Sequence, residues 1–98
     1  MNLPLYMRPE AEGDVEEAAI WYEQQRTGLG HEFLDRVGDA LNAIAERPRL
    51  YPVVHRDTRR AFARKFPFGV FYRIDTDRIV IVAVMHGSRD PHRWQERA

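Results

Sequence analysis

Ile79-Val80-Ile81-Val82-Ala83-Val84-Met85 is apolar at every position. A strand with one wet face alternates apolar and polar residues, so a short unbroken run rich in β-branched residues reads as a strand covered on both faces, in the interior of a sheet. Asp75-Thr76-Asp77 just before it has the composition of a tight turn, and Phe68 to Ile74 before that reads as a second strand. The two form an antiparallel hairpin, with the interior strand running from Arg78 to His86. One step further out, Arg60 to Phe66 reads as a third strand, and Pro91 to Arg97 as a short closing helix.

The first half has a different period. Leu3, Leu5 and Met7 alternate with Pro4, Tyr6 and Arg8, the pattern of a short strand with one buried face, and Pro4 places it at a sheet edge. Pro9 suits the first position of a helix, and Glu10, Glu12, Asp14, Glu16 and Glu17 favour the positive end of its dipole. Ala11, Val15, Ala18, Ala19 and Tyr22 supply an apolar stripe, so a helix is expected over about Pro9 to Gln25. Trp21 and Tyr22 stand at opposite edges of that stripe and read as packing residues. Thr27-Gly28-Leu29-Gly30 breaks the pattern. A second helix follows, carried by Phe33, Val37, Leu41, Ile44 and Ala45 and ended at Arg47-Pro48. Residues 48–58, with two prolines, read as a surface loop. The expectation is one α+β domain over residues 1–98, in the order β-α-α-β-β-β, with a helical hairpin packed on a small, mainly antiparallel sheet.

A chain of 98 residues has room for one core and no separate substrate domain. It contains no cysteine, which removes disulfides, thiolate chemistry and cysteine-bound zinc. With no signal-peptide pattern and no long apolar stretch, a cytoplasmic protein without a membrane partner is expected. The formal net charge of zero conceals an asymmetry. Residues 1–50 hold 5 Arg and 10 Asp/Glu, and residues 51–98 hold 10 Arg/Lys and 5 Asp/Glu. The basic half is the candidate contact surface, and 14 of its chain's 15 cations are arginine, suited to gripping carboxylate or phosphate and to stacking on flat rings.

Arg60, Phe62, Arg64 and Phe66 share one face if their segment is a regular strand. Such a face stacks on bases or grips a partner's carboxylates; equally, it describes an edge strand kept soluble by charge. His86 and His92 flank Asp90, but no third ligand stands at a useful spacing, so neither a metal nor another cofactor is expected. His86 at a strand end fits either a general acid or base or a structural hydrogen-bonding role. Arg89-Asp90-Pro91 reads as a turn in which Asp90 caps the closing helix and Arg89 projects from the strand end. Trp94 is either a lid on the core or an exposed anchor. Ser88 lacks a convincing relay for a nucleophile.

Several of these pieces recur together. Ala11-Glu12-Gly13-Asp14, Trp21-Tyr22, Gly28-Leu29-Gly30 before Phe33, then Ile44 and Pro48 mark the helical half. Arg60, Phe66-Pro67-Phe68, Tyr72-Arg73, Ala83-Val84 with His86, and Arg89-Asp90-Pro91 with Trp94 and Arg97 follow in the sheet half. In this order the chain resembles the RelE/ParE superfamily of bacterial toxins over nearly its whole length. The resemblance implies the toxin of a type II toxin–antitoxin pair, held in a hetero-oligomer by a cognate antitoxin and meeting operator DNA only through that complex. RelE-like members cut mRNA on the ribosome without a metal; ParE-like members bind and inhibit DNA gyrase. RelE-like nucleases commonly show an arginine where this chain has Gly69, and the tail offers Trp94 and no tyrosine. The Arg-Asp-Pro pattern followed by Trp resembles the ParE-labelled, plasmid-stabilisation branch. On that branch Arg60, Arg64, Arg73, Arg89 and Trp94 are the expected partner-binding residues. On the nuclease branch Arg64, His86 and Arg89 are the expected catalytic ones.

Overall fold

A computed structural model describes residues 3–88 and 91–98. The strands are β1 (Leu5–Met7), β2 (Val53–His55), β3 (Thr58–Phe62), β4 (Phe68–Ile74) and β5 (Ile79–His86). The helices are α1 (Pro9–Gln25), α2 (Leu29–Glu46) and α3 (His92–Gln95). The five strands form one sheet in the order β1-β5-β4-β3-β2, with β1 parallel to β5 and every other pair antiparallel. This is the expected α+β arrangement of a helical hairpin on a mainly antiparallel sheet.

The apolar run is legible in the fold as written: every residue from Ile79 to Met85 is buried. Ile79, Ile81 and Val84 face the helices, where they join Ala11, Phe33, Val37 and Ile44. Val80, Val82, Ala83 and Met85 belong to a second cluster on the opposite face, closed by Phe71 and Trp94. The phase changes because the register slips between Phe71↔Ala83 and Tyr72↔Ile81, a bulge that gives β5 one extra residue at Val82. Burying each of the Val, Ile and Met side chains of this run stabilises the fold by about 1.5–3 kcal/mol relative to exposure, which makes β5 its energetic centre.

The edges show where local sequence misleads. α1 begins at Pro9 with Glu10 and Glu12 in its first turn. α2 begins earlier than expected, at Leu29, and Gly30 lies inside its first turn instead of breaking the chain. Its glycine is needed for close packing, since a Cβ there would run into the carbonyl oxygen of Ala19 on α1. Glu23 anchors this junction by accepting hydrogen bonds from the Gly28 N–H at 2.9 Å and the Gly30 N–H at 3.0 Å. Gly28 itself supplies the left-handed backbone, with φ of 90°.

Residues 48–58 are not all loop: Val53–His55 forms β2, a bulged edge strand paired with β3. Arg56 takes a positive φ of 50° in the turn between them. The third strand is also shorter and earlier than expected, ending at Phe62. Ala63 to Pro67 make a tight turn in which Lys65 has φ of 71°, so Arg64 leaves the strand. Phe66 turns into the core against Tyr22 at 4.9 Å and Phe33 at 5.2 Å between ring centroids. The expected face of Arg60, Phe62, Arg64 and Phe66 therefore does not form; turn geometry and the gain from burying Phe66 override strand alternation.

Candidate functional site

The face of the sheet turned away from α1 and α2 carries Arg60 and an exposed ring. Arg60 pairs with Phe71 and Phe62 with Gly69 across the β3–β4 ladder, so all four share this outer face. The Arg60 guanidinium lies over the Phe62 ring at 4.7 Å, and Phe62 is 54% exposed. Gly69 makes the arrangement possible: a Cβ there would stand 3.1 Å from both Cδ of Arg60 and Cε2 of Phe71. Arg60 thus lays its aliphatic stem over a glycine and presents its charge beside an exposed ring, while its Nε is buried without a hydrogen-bond partner. Among the described residues it makes no ion pair.

The other expected contact residues are placed differently. Arg64 is exposed in the turn after β3 and unpaired among the described residues. Arg73 pairs with Asp75 at 3.0 Å. Trp94 is 7% exposed and stacks on Phe71 at 4.3 Å, with His55 edge-on at 5.9 Å. Its ring is a lid on the outer face. Arg89 lies outside the described residues, as does Asp90 with the capping role expected of it. Pro91 stands at the N-cap of α3, one residue before the helical position expected for it.

His86 belongs to the opposite side of the sheet from Arg60. Its ring packs edge-on to Phe68 at 5.5 Å, and Phe68 faces the helices. Its Nδ1 accepts from the Ser88 N–H at 3.0 Å and lies 2.7 Å from Ser88 Oγ, so a neutral His86 carries its proton on Nε2. No hydrogen bond joins it to Arg64 among the described residues, where no cluster of three or more His, Cys, Asp or Glu is placed to hold a metal.

Two features escaped the sequence reading. The first is a clamp: Arg97 donates to both carboxylate oxygens of Asp14, at 2.6 and 3.2 Å, while Asp14 Oδ2 accepts from the Val84 N–H at 3.0 Å. Arg8 Nη1 closes the set by donating to the Arg97 carbonyl at 2.6 Å. The partners Asp14 and Arg97 are 83 residues apart, so no local signal announces them. The second is a cleft of about 480 Å³ between α1 and the end of β5, lined by Trp21, Tyr22, Phe68, Val84 and His86 among others. Trp21 is 55% exposed at its rim, not packed away as expected, whereas burial pushes the Tyr22 phenol above its ordinary pKa.

A helical hairpin on this five-stranded, mainly antiparallel sheet defines a small α+β fold. A solved structure described as the chromosomal ParDE TA system from P. aeruginosa superposes with a TM-score of 0.66 at 16% identity, covering 86% of this chain and 95% of that one. No curated protein sequence matches. The family described as ParE toxin of type II toxin-antitoxin system, parDE, matches residues 5–91, and the chain belongs to it. Among the described residues no helix is long and apolar enough to cross a membrane.

Proposed function

We propose that this chain is the growth-inhibiting toxin of a type II pair, that it acts by binding DNA gyrase, and that a cognate antitoxin neutralises it. The observation that carries the reading is the outer face: a guanidinium unpaired among the described residues, stacked on exposed Phe62, with Gly69 beneath its stem. Binding toxins need presented charge and ring surface. Nucleases need acid, base and phosphate-holding groups converging on one phosphate. His86 bonds Ser88 and not Arg64 among the described residues, and an arginine at position 69 would have to displace the Arg60 stem. Both points support binding over RNA cleavage.

On this reading Arg60 and Arg64 contact the target, Trp94 holds the face rigid, and Arg73 contributes only if it leaves Asp75. The complex with antitoxin is a cytoplasmic hetero-oligomer that meets operator DNA through the antitoxin. Membership in a family named for toxin–antitoxin pairs supports a protein partner.

The test is to induce the chain alone in a bacterium, map RNA 5′ ends as growth stops, and assay purified protein against gyrase. Arrest with intact messages and inhibited supercoiling is the expected result. New cuts within translated codons would replace this reading with the ribosome-dependent mRNA endonuclease. Growth without arrest would leave an inactive homologue that only binds antitoxin.

A further inference from the structure

The β2–β3 corner concentrates charge that the fold leaves unmatched. Residues 46–65 hold seven cations against two acids, Glu46 and Asp57. None of the seven makes an ion pair among the described residues. Arg59 is committed to structure: it donates to the Arg49 carbonyl at 3.1 Å and the Tyr51 carbonyl at 2.7 Å, which holds the segment after α2 against β3. Arg49, Arg56, Arg64 and Lys65 are exposed, and Arg60 presents its guanidinium beside Phe62.

Two of these cations sit where the backbone favours another residue. Arg56 has φ of 50° and Lys65 φ of 71°, and among the described residues they are the only non-glycine residues with positive φ. Glycine takes this left-handed region without the Cβ crowding that other residues meet there. Arg56 precedes β3 and Lys65 follows it, so a strained cation stands beyond each end of the strand. Strain kept in this way points to a use for the side chain itself.

The charges are strung out and do not converge. β3 runs about 13 Å from Thr58 to Phe62, with Arg60 at its middle on the outer face. Phe62 is the one exposed aromatic ring in the stretch, whereas a single-strand site stacks successive bases on several rings. A duplex backbone offers one charge about every 1.7 Å of its axis and needs no ring. The neutral net charge of the chain does not cancel this corner. α1, which carries Glu10, Glu12, Glu16 and Glu17, packs on β5, and β5 lies three strand spacings, or about 14 Å, from β2. Salt at 0.1 M screens charges beyond about 10 Å.

We propose that the β2–β3 corner binds the phosphate backbone of duplex DNA, with Arg49, Arg56, Arg64 and Lys65 as phosphate contacts around Arg60. Backbone phosphates position a protein and base edges specify it, so this contact is independent of sequence and separate from operator recognition through the antitoxin. It goes beyond the gyrase reading and stands or falls without it, because the probe is DNA alone. Leu50 and Val53 are exposed at the same corner, so an acidic protein partner is the alternative that the experiment separates.

The test is fluorescence polarisation of a labelled mixed-sequence DNA duplex titrated with the full chain at salt concentrations between about 50 and 200 mM. Wild type is compared with the double variant Arg56→Gly, Lys65→Gly, in which glycine suits both backbones and the two charges are removed. For wild type, the logarithm of the affinity should fall linearly with the logarithm of salt. The double variant should bind at least about tenfold more weakly, with a slope shallower by about 2, and should unfold at a temperature no lower than wild type. No binding by wild type at about 50 mM salt, affinity within about twofold in the double variant, or tighter binding of a single strand than of the duplex overturns the site. So does a loss of affinity accompanied by a lower unfolding temperature, since relief of strain does not loosen the turns. A double variant that keeps its affinity for DNA but no longer inhibits gyrase assigns the corner to the protein partner and leaves the gyrase reading standing.

Discussion

Arg97 and Arg60 carry the same guanidinium, and the fold uses them in opposite ways. Arg97 is 23% exposed, meets Asp14 through both carboxylate oxygens, and sits across the margin of β5. Arg60 meets no carboxylate among the described residues, and its charge rests on an exposed ring. The first arginine closes a structure; the second is held ready by one. A basic half-chain is therefore not a uniform contact surface, and only pairing separates cations that hold the protein together from those it presents.

Breaking the clamp should give the largest effect on stability. Asp14→Ala leaves the Arg97 guanidinium and the Val84 N–H without their acceptor in a part-buried site, at about 3 kcal/mol. Urea denaturation should show this as a lower midpoint with an unchanged slope. Asp14→Asn should cost less, since its amide oxygen still accepts from Val84. Equal losses for the two variants would show that the charge pair, and not the strand edge, carries the energy.

Gly30→Ala tests whether the helical side is as tightly constrained as the clamp. The new methyl group meets the backbone of Ala19, so α1 and α2 must separate. The strain exceeds the gain in helix propensity, with a net loss of about 1–2 kcal/mol in thermal unfolding. A more stable variant would contradict the close approach.

Tyr72 gives a smaller effect with a pH signature. Its hydroxyl donates to the Pro48 carbonyl at 2.6 Å, and burial, partly opposed by Arg59, pushes its pKa up to about 12. Because the folded value lies above the ordinary value of 10.0, the folded state favours the neutral phenol. That contribution is fully present below about pH 10 and is lost as pH rises toward about 12. Tyr72→Phe should cost about 1 kcal/mol at neutral pH and flatten the alkaline decline in stability across that window. A decline of the same steepness in the variant would assign it to other groups.

The legible parts of this fold were those set by periodicity over many residues. The unbroken apolar run from Ile79 to Met85 and the acidic, alanine-striped α1 each repeat their signal, so one misread residue changes nothing. β2 was hidden because three residues between Pro48 and Pro52 on one side and a turn on the other cannot show a period. Phe66 was misassigned because alternation assumes a straight strand, and the chain turns at Ala63. Gly30 carried the composition of a breaker but served a contact between helices. The clamp depends on residues far apart in the chain. At the candidate site the sequence offered Arg60 and Arg64, offered a lid on the core as one of two readings of Trp94, and could not reveal that Arg73 is paired.

Arg60→Met tests the contrast between the two arginines most directly. It keeps the stem over Gly69 and removes only the presented charge, so stability should stay within about 0.5 kcal/mol of wild type. Inhibition of gyrase supercoiling by the purified variant should fall at least about tenfold, as expected when a contact residue is lost. Undiminished inhibition, or a loss matched by an equal fall in thermal stability, would contradict the assignment of Arg60 as a charge presented for function.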